Sequence, residues 1–187
     1  MSTTIIGLSG SLRRGSFNSA LLRAAEGAMP SGAALSIGSI REIPLYDGDV
    51  EAESGVPLPV ARLKDAIAAA DGLLLVTPEY NNSMPGVFKN AIDWCTRPAA
   101  DIPRVFGGKP VALIGASPGA FGTILSQNAW LPVLRTLGTA YYTEGRLMVS
   151  RAGSVFGPDG AMVDAKVREA LAAYLAGFVA FAQRARG

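Results

Sequence analysis

No histidine occurs anywhere in the 187 residues. Hydrolase triads built on an imidazole base are thereby excluded, as are histidine-ligated metal centres. No metal-ligand set and no catalytic acid or base stands out among the remaining residues. Cysteine is almost as scarce. Cys95 is alone, so no intrachain disulfide can form, which is compatible with a reducing compartment. Charge is thin as well: Asp, Glu, Lys and Arg make up 17% of the chain, the formal net charge is +2, and no basic run occurs. Nucleic acid is therefore not an expected partner. No apolar stretch is long enough for a membrane span, and Met1-Ser2-Thr3-Thr4 lacks the basic start of a secretory signal. A cytoplasmic protein without a membrane partner is expected. Two phosphate-binding fingerprints are also missing: there is no G-x-G-x-x-G and no P-loop Lys-Ser/Thr.

What is present is mostly apolar. Hydrophobic residues make up 49% of the chain, enough for one sizeable core, and a single domain over residues 1–187 is expected. Thr3–Leu8 is a short β-branched, apolar run that predicts a buried strand, and the stripe from Ala20 to Ala28 predicts a helix behind it. A second strand is expected over Ala34–Ile40, then a long structureless connection over Arg41–Pro59. A helix over Pro59–Ala70 leads to the strand Leu73–Thr77. Helix Val87–Thr96, loop Pro98–Gly108, strand Val111–Gly115 and a helix ending at Leu137 follow. A fifth strand is expected over Thr139–Met148 and a last helix over Ala161–Arg184. Alternation of this kind predicts an α/β fold with a parallel sheet covered on both faces. The flavodoxin-like order 2-1-3-4-5 fits five such strands, and its ligands bind beyond the C-terminal strand ends, at the switch between strands 1 and 3.

Three loops fall on that rim. The first, Gly7–Asn18, joins a strand end to a helix N-terminus, where unpaired amides and a partial positive charge attract anions. Ser11, Ser16 and Asn18 add short polar groups, and Arg13 or Arg14 can add a charged hydrogen bond. Such a loop suits one terminal phosphate. The same residues also serve as ordinary caps and turns. The second loop, Pro78–Ser83, offers a rigid proline and Tyr80, a ring that can lie against a flat ligand. The third, Ser117–Gly122, supplies glycines and Phe121. Phosphate at one end and a flat heteroaromatic at the other describe a mononucleotide cofactor.

The stretch Gly10-Ser11-Leu12-Arg13-Arg14-Gly15-Ser16-Phe17-Asn18, together with Thr77-Pro78-Glu79-Tyr80-Asn81 and Pro85-Gly86-Val87-Phe88-Lys89-Asn90-Ala91-Ile92-Asp93-Trp94, resembles the NADPH-dependent FMN reductase family. That flavodoxin-like group includes chromate, quinone and azo reductases. The resemblance implies bound FMN, NADPH or NADH as electron donor, and small acceptors such as quinones, flavins, azo compounds or chromate. It implies that Ser11, Arg13, Ser16, Phe17 and Asn18 surround the FMN phosphate. Pro78, Glu79, Tyr80 and Asn81 would border the ring and ribityl chain, and Ser117, Gly119 and Ala120 would form the third wall. The helix from Gly86, with Lys89, Asn90, Asp93 and Trp94, is similar to an interface helix.

Three functions compete at this level: an FMN-dependent oxidoreductase, a flavodoxin-type electron carrier and a non-catalytic flavin-binding module. A carrier that docks on protein partners is expected to be strongly acidic, and this chain is not. A homodimer or homotetramer is expected, with Pro85–Thr96 and Arg41–Pro59 at or near the interface. Trp94 lies two residues beyond the inward-facing Ile92, which turns it about 200° around a helix and away from that core contact.

Overall fold

The computed structural model describes residues 2–185; Met1, Arg186 and Gly187, at the ends of the expected domain, lie outside them. The elements run β1 (Thr3–Ser9), α1 (Phe17–Gly27), β2 (Ala33–Gly38), α2 (Gly48–Ser54), α3 (Leu58–Ala69), β3 (Gly72–Val76) and α4 (Gly86–Cys95). They continue α5 (Ile102–Val105), β4 (Pro110–Ala116), α6 (Ile124–Thr136), β5 (Ala140–Tyr141), β6 (Leu147–Val149), α7 (Ala152–Val155) and α8 (Ala165–Arg184). The strands form one parallel sheet in the expected order β2-β1-β3-β4-β5, with β6 also pairing β4.

Side-chain alternation along the strands divides the core in two. Ile5, Leu74, Val76, Ala112 and Ile114 face α1 and α8, where they meet Leu21, Leu22, Leu175 and Phe178. Ile6, Leu8, Leu73, Leu75, Val111 and Leu113 face the other way, toward Ile67, Phe88, Ile92, Trp130 and Leu134 of α3, α4 and α6. Both faces are covered, which is why β3 and β4 are apolar throughout rather than alternating. No helix among the described residues is long and apolar enough to cross a membrane.

Four elements differ from expectation. The fifth strand is broken into β5 and β6 because Tyr142 turns into the core, edge-on to Tyr174 at 5.3 Å, and Thr143–Arg146 leaves the sheet. The Arg41–Pro59 connection is not structureless. It contains α2, whose amide at Asp49 is capped by the Asp47 carboxylate at 2.9 Å. The Pro98–Gly108 loop likewise contains a 3-10 turn, Ala99–Asp101, and α5. The last helix starts at Ala165 rather than Ala161, capped by Asp164, while Ala152–Val155 forms the separate α7.

Trp94 overturns the reason first given for an interface. It is fully buried, because residues 44–46 fold back as a strap over the outer side of α4. Its Nε1 donates to the Pro44 carbonyl at 3.0 Å and its ring meets Tyr46 edge-on at 4.9 Å. Asn90 fastens the same strap, accepting from the Tyr46 amide and donating to the Pro44 carbonyl. Beyond it, Tyr46 donates to Glu51, and Glu51 pairs with Arg97 at 2.8 Å.

Cys95, next to Trp94, is buried. Burial pushes its thiol up to about 12, against the opposing pull of the Lys64 ammonium. The thiolate is the nucleophilic form, so the folded protein at pH 8 should not react with a disulfide reagent such as dithionitrobenzoate. One equivalent should react after unfolding in urea, and fast labelling of the native protein would contradict this placement.

Candidate functional site

At the end of β1, Gly10 donates its amide to the Val76 carbonyl at 2.9 Å and turns the chain across β3. A Cβ there would lie 2.2 Å from Phe88 Cδ1 and 2.9 Å from Pro78 Cδ. Only glycine lets the first loop close on the second. The loop then reaches α1, where Ser16 is the N-cap and accepts from the Ser19 amide at 3.2 Å. The next two amides, of Phe17 and Asn18, are orphan donors of the first turn and find no partner among the described residues. Ser11 Oγ accepts from the Arg13 amide at 3.3 Å. Neither Arg13 nor Arg14 has an ion-pair partner among the described residues. The two are separated by their surroundings: Arg14 lines a cleft of about 450 Å³ with Phe17, Arg23 and Phe156 on the flank of α1.

Two candidate residues spend their side chains inside the protein. The Asn18 amide grips the end of β4, donating to the Ala116 carbonyl at 2.8 Å and accepting from the Ala116 amide at 2.9 Å. The Phe17 ring stacks on Phe156 at 6.0 Å. At these two positions, the backbone amides are what the loop presents outward, and the side chains fix where the loop stands.

The second loop is held from beneath. Thr77 Oγ1 lies 2.7 Å from Ser126 Oγ and accepts from Trp130 Nε1 at 3.1 Å, tying β3 to α6. Glu79 caps α6: one carboxylate oxygen accepts from the amides of Leu125 at 2.8 Å and Ser126 at 3.1 Å, where the helix dipole also favours its charge. Tyr80 and Ser83 exchange backbone hydrogen bonds of 2.9 and 3.0 Å around Asn81 and Asn82. Both asparagines are left-handed, with φ of 50° and 62°, which defines a type I′ hairpin turn that asparagine tolerates. Pro78 is buried beneath and Tyr80 stands exposed at the tip.

The third loop closes on itself and on the strand beyond. Ser117 Oγ donates to the Gly122 carbonyl at 2.6 Å, the Ser117 amide donates to Val149 at 3.0 Å, and the Gly119 carbonyl accepts from Arg151 at 2.9 Å. Gly115 allows this approach, since a Cβ there would lie 2.1 Å from Thr123 Oγ1 and 2.3 Å from the Thr77 carbonyl. Ala120 is exposed, and Phe121 is 82% exposed and belongs to neither core cluster. The three loops therefore share one rim, joined by Gly10 against Phe88 and Pro78, by Asn18 on Ala116, and by Glu79 on α6.

Sequence reasoning missed the residues behind the loops. Thr77, Ser126 and Trp130 carry the second loop, and the Arg41 guanidinium donates to the Leu12 carbonyl at 2.8 Å from outside the first. A buried threonine beside a proline is a weak signal, and nothing local marks Arg41.

The geometry suits a phosphate monoester with a flat ring. Free first-turn amides, the Ser11 hydroxyl and an unpaired Arg13 are donors for a dianion, and Pro78 and Tyr80 lie one strand away. A parallel sheet of this order, with helices on both faces and the β1–α1 loop at its switch point, defines a flavodoxin-like protein. The chain belongs to the NADPH-dependent FMN reductase family, which it matches over residues 3–154. It is 43% identical over 183 residues to an NAD(P)H-dependent FMN reductase of Pseudomonas aeruginosa, covering 98% of this chain and 97% of that protein. It is 36% identical to a quinone reductase of Escherichia coli strain K12, covering 97% and 96%. Among solved structures it superposes on the NAD(P)H:(acceptor) oxidoreductase FerB of Paracoccus denitrificans with a TM-score of 0.86, at 34% identity, over 97% and 98% of the two chains.

Removing the Glu79 carboxylate should release the start of α6. Glu79→Ala is expected to cost about 1 kcal/mol in urea unfolding, the usual value of a lost helix cap. An unchanged midpoint would mean that the carboxylate is not holding the helix.

Proposed function

We propose that the protein is an FMN-dependent NAD(P)H oxidoreductase that reduces quinones, flavins or similar small acceptors. The observation that carries this is the shared rim of three loops, with unpaired donors on one side and Pro78 and Tyr80 on the other. When bound, FMN would supply the redox chemistry, taking a hydride from the nicotinamide and passing two electrons to the acceptor. The protein's part is to hold and orient. The amides of Phe17 and Asn18, with Ser11, Ser16 and Arg13, would hold the phosphate. Pro78, Glu79, Tyr80 and Asn81 would border the ring and ribityl chain, and Ser117, Gly119 and Ala120 would close the third side. Glu79 is engaged as a helix cap, so no side chain is assigned as a proton donor.

The activity divides into two testable halves. Under anaerobic conditions NADPH or NADH should bleach the flavin absorbance, and a benzoquinone added alone should restore it. With no histidine to titrate, the bleaching rate should change little between about pH 6 and 8. An electron carrier would be bleached slowly by either nicotinamide, and a non-catalytic module not at all.

We further propose a homodimer or a tetramer of dimers, as a cytoplasmic enzyme drawing on the reduced nicotinamide pool. Leu45, Val50 and Leu58 on the strap and α2–α3 stretch, with Val87 on α4, leave apolar surface exposed where Trp94 does not. Sedimentation should show a dimer or larger at tens of micromolar, and a monomer throughout would contradict it.

A further inference from the structure

We propose that Arg41, which lies outside all three loops, is a positioning residue for the FMN phosphate. It acts through the Leu12–Arg13 peptide and the Ser11 hydroxyl. The inference rests on the reading of the first loop as a phosphate site.

The geometry is a chain of three donors in series. The Arg41 guanidinium donates to the Leu12 carbonyl at 2.8 Å. Across the same planar trans peptide, the Arg13 amide points the opposite way and donates to Ser11 Oγ at 3.3 Å. Ser11 Oγ, having accepted that bond, has only its own proton left to give, and that proton has no acceptor among the described residues. Every link runs in one direction, from the guanidinium charge to the Ser11 hydroxyl, the group that the phosphate reading assigns to the ligand. Hydrogen bonds in such a series polarise one another. Arg41 thus strengthens the Ser11 hydroxyl as a donor without approaching the ligand.

The arrangement also prevents a specific error. The Leu12–Arg13 peptide turns about Leu12 ψ and Arg13 φ, in a stretch between β1 and α1 that no helix or strand ladder holds. Rotation would break both bonds of that peptide and turn the Leu12 carbonyl, a negative dipole, to the side where the Arg13 amide now meets Ser11. Arg41 holds that carbonyl outward, in a cleft of about 270 Å³ at the ends of β1 and β2 that Ser11, Leu12, Arg23 and Arg41 share. Arg41 is itself well placed. Its own amide donates to Ser39 Oγ at 3.2 Å, and it has no ion-pair partner among the described residues to draw the guanidinium elsewhere. It stands just before the strap of residues 44–46, which Asn90 and Trp94 fasten to α4.

The test compares FMN with riboflavin, which differ only by the phosphate, by fluorescence titration of the apoprotein. Arg41→Met should weaken FMN several-fold, less than a direct charged hydrogen bond to the phosphate is worth, while riboflavin moves less than about twofold. Arg41→Lys, which keeps a cationic donor, should restore most of the preference. Combining Arg41→Met with Ser11→Ala should cost less than the product of the two separate effects, because both break one chain. Apoprotein melting curves of each variant establish that folding is intact. An unchanged FMN-to-riboflavin ratio in Arg41→Met, an equal loss for both flavins, or independent effects in the double variant would overturn the role of Arg41. A wild-type ratio near one would instead overturn the phosphate reading itself.

Discussion

Trp94→Ala is expected to lose about 3–5 kcal/mol of folding stability, the range for removing a large aromatic side chain from a packed interior. The indole is completely buried between α4 and the strap. Its removal leaves a large cavity, deprives Tyr46 of its aromatic partner and takes one of two donors from the Pro44 carbonyl. The strap should loosen as a unit, since Asn90 alone would hold it to the helix. Urea unfolding at equal protein concentration checks this: the midpoint should fall with little change in slope. Trp94→Phe, which fills part of the space, should cost markedly less. A tryptophan at a subunit interface would behave differently, shifting association while leaving a folded monomer nearly as stable. A loss below about 1 kcal/mol would therefore contradict the buried placement.

Riboflavin should bind the apoprotein at least about a hundredfold more weakly than FMN, equivalent to about 2.7 kcal/mol. The phosphate would meet two unpaired amides at the start of α1, the Ser11 hydroxyl and the Arg13 guanidinium. Each hydrogen bond to a charged group is worth about 1.5–3 kcal/mol, reduced here because Arg13 is exposed to solvent. The discrimination should weaken as salt is added, since part of it is electrostatic attraction at an open rim. Arg13→Ala should remove part of the preference and leave the rest with the backbone, which no side-chain substitution deletes. Equal affinity for the two flavins would refute the assignment of this loop.

The runs Leu73–Leu75 and Val111–Ile114 are apolar without alternation, so both the strands and their two-sided burial were legible from sequence. The rim was legible for a related reason: glycines, serines and prolines cluster at strand ends where a chain must turn and still satisfy its amides. What could not be seen depends on long-range return of the chain. α2 is seven residues long with nothing buried, so no apolar stripe announced it. Trp94 was placed by helical rotation relative to Ile92, which is correct locally. The error came from taking the far side of α4 as free, when residues 44–46 lie across it. Asn18 was expected to reach a ligand, but its amide is satisfied 98 positions away on Ala116. Glu79 and Arg41 belong to the same group, because each finds its partner on an element remote in sequence.

Steady-state turnover of the purified protein tests the central claim most directly. Apoprotein with NADPH or NADH and a benzoquinone, and no other protein present, should be inactive until FMN is added and should then consume nicotinamide and quinone one for one. Double-reciprocal plots at several quinone concentrations should be parallel, as expected when both substrates use one slot in turn. Turnover that is absent with FMN bound, or that appears only when a second protein is supplied, would contradict the account.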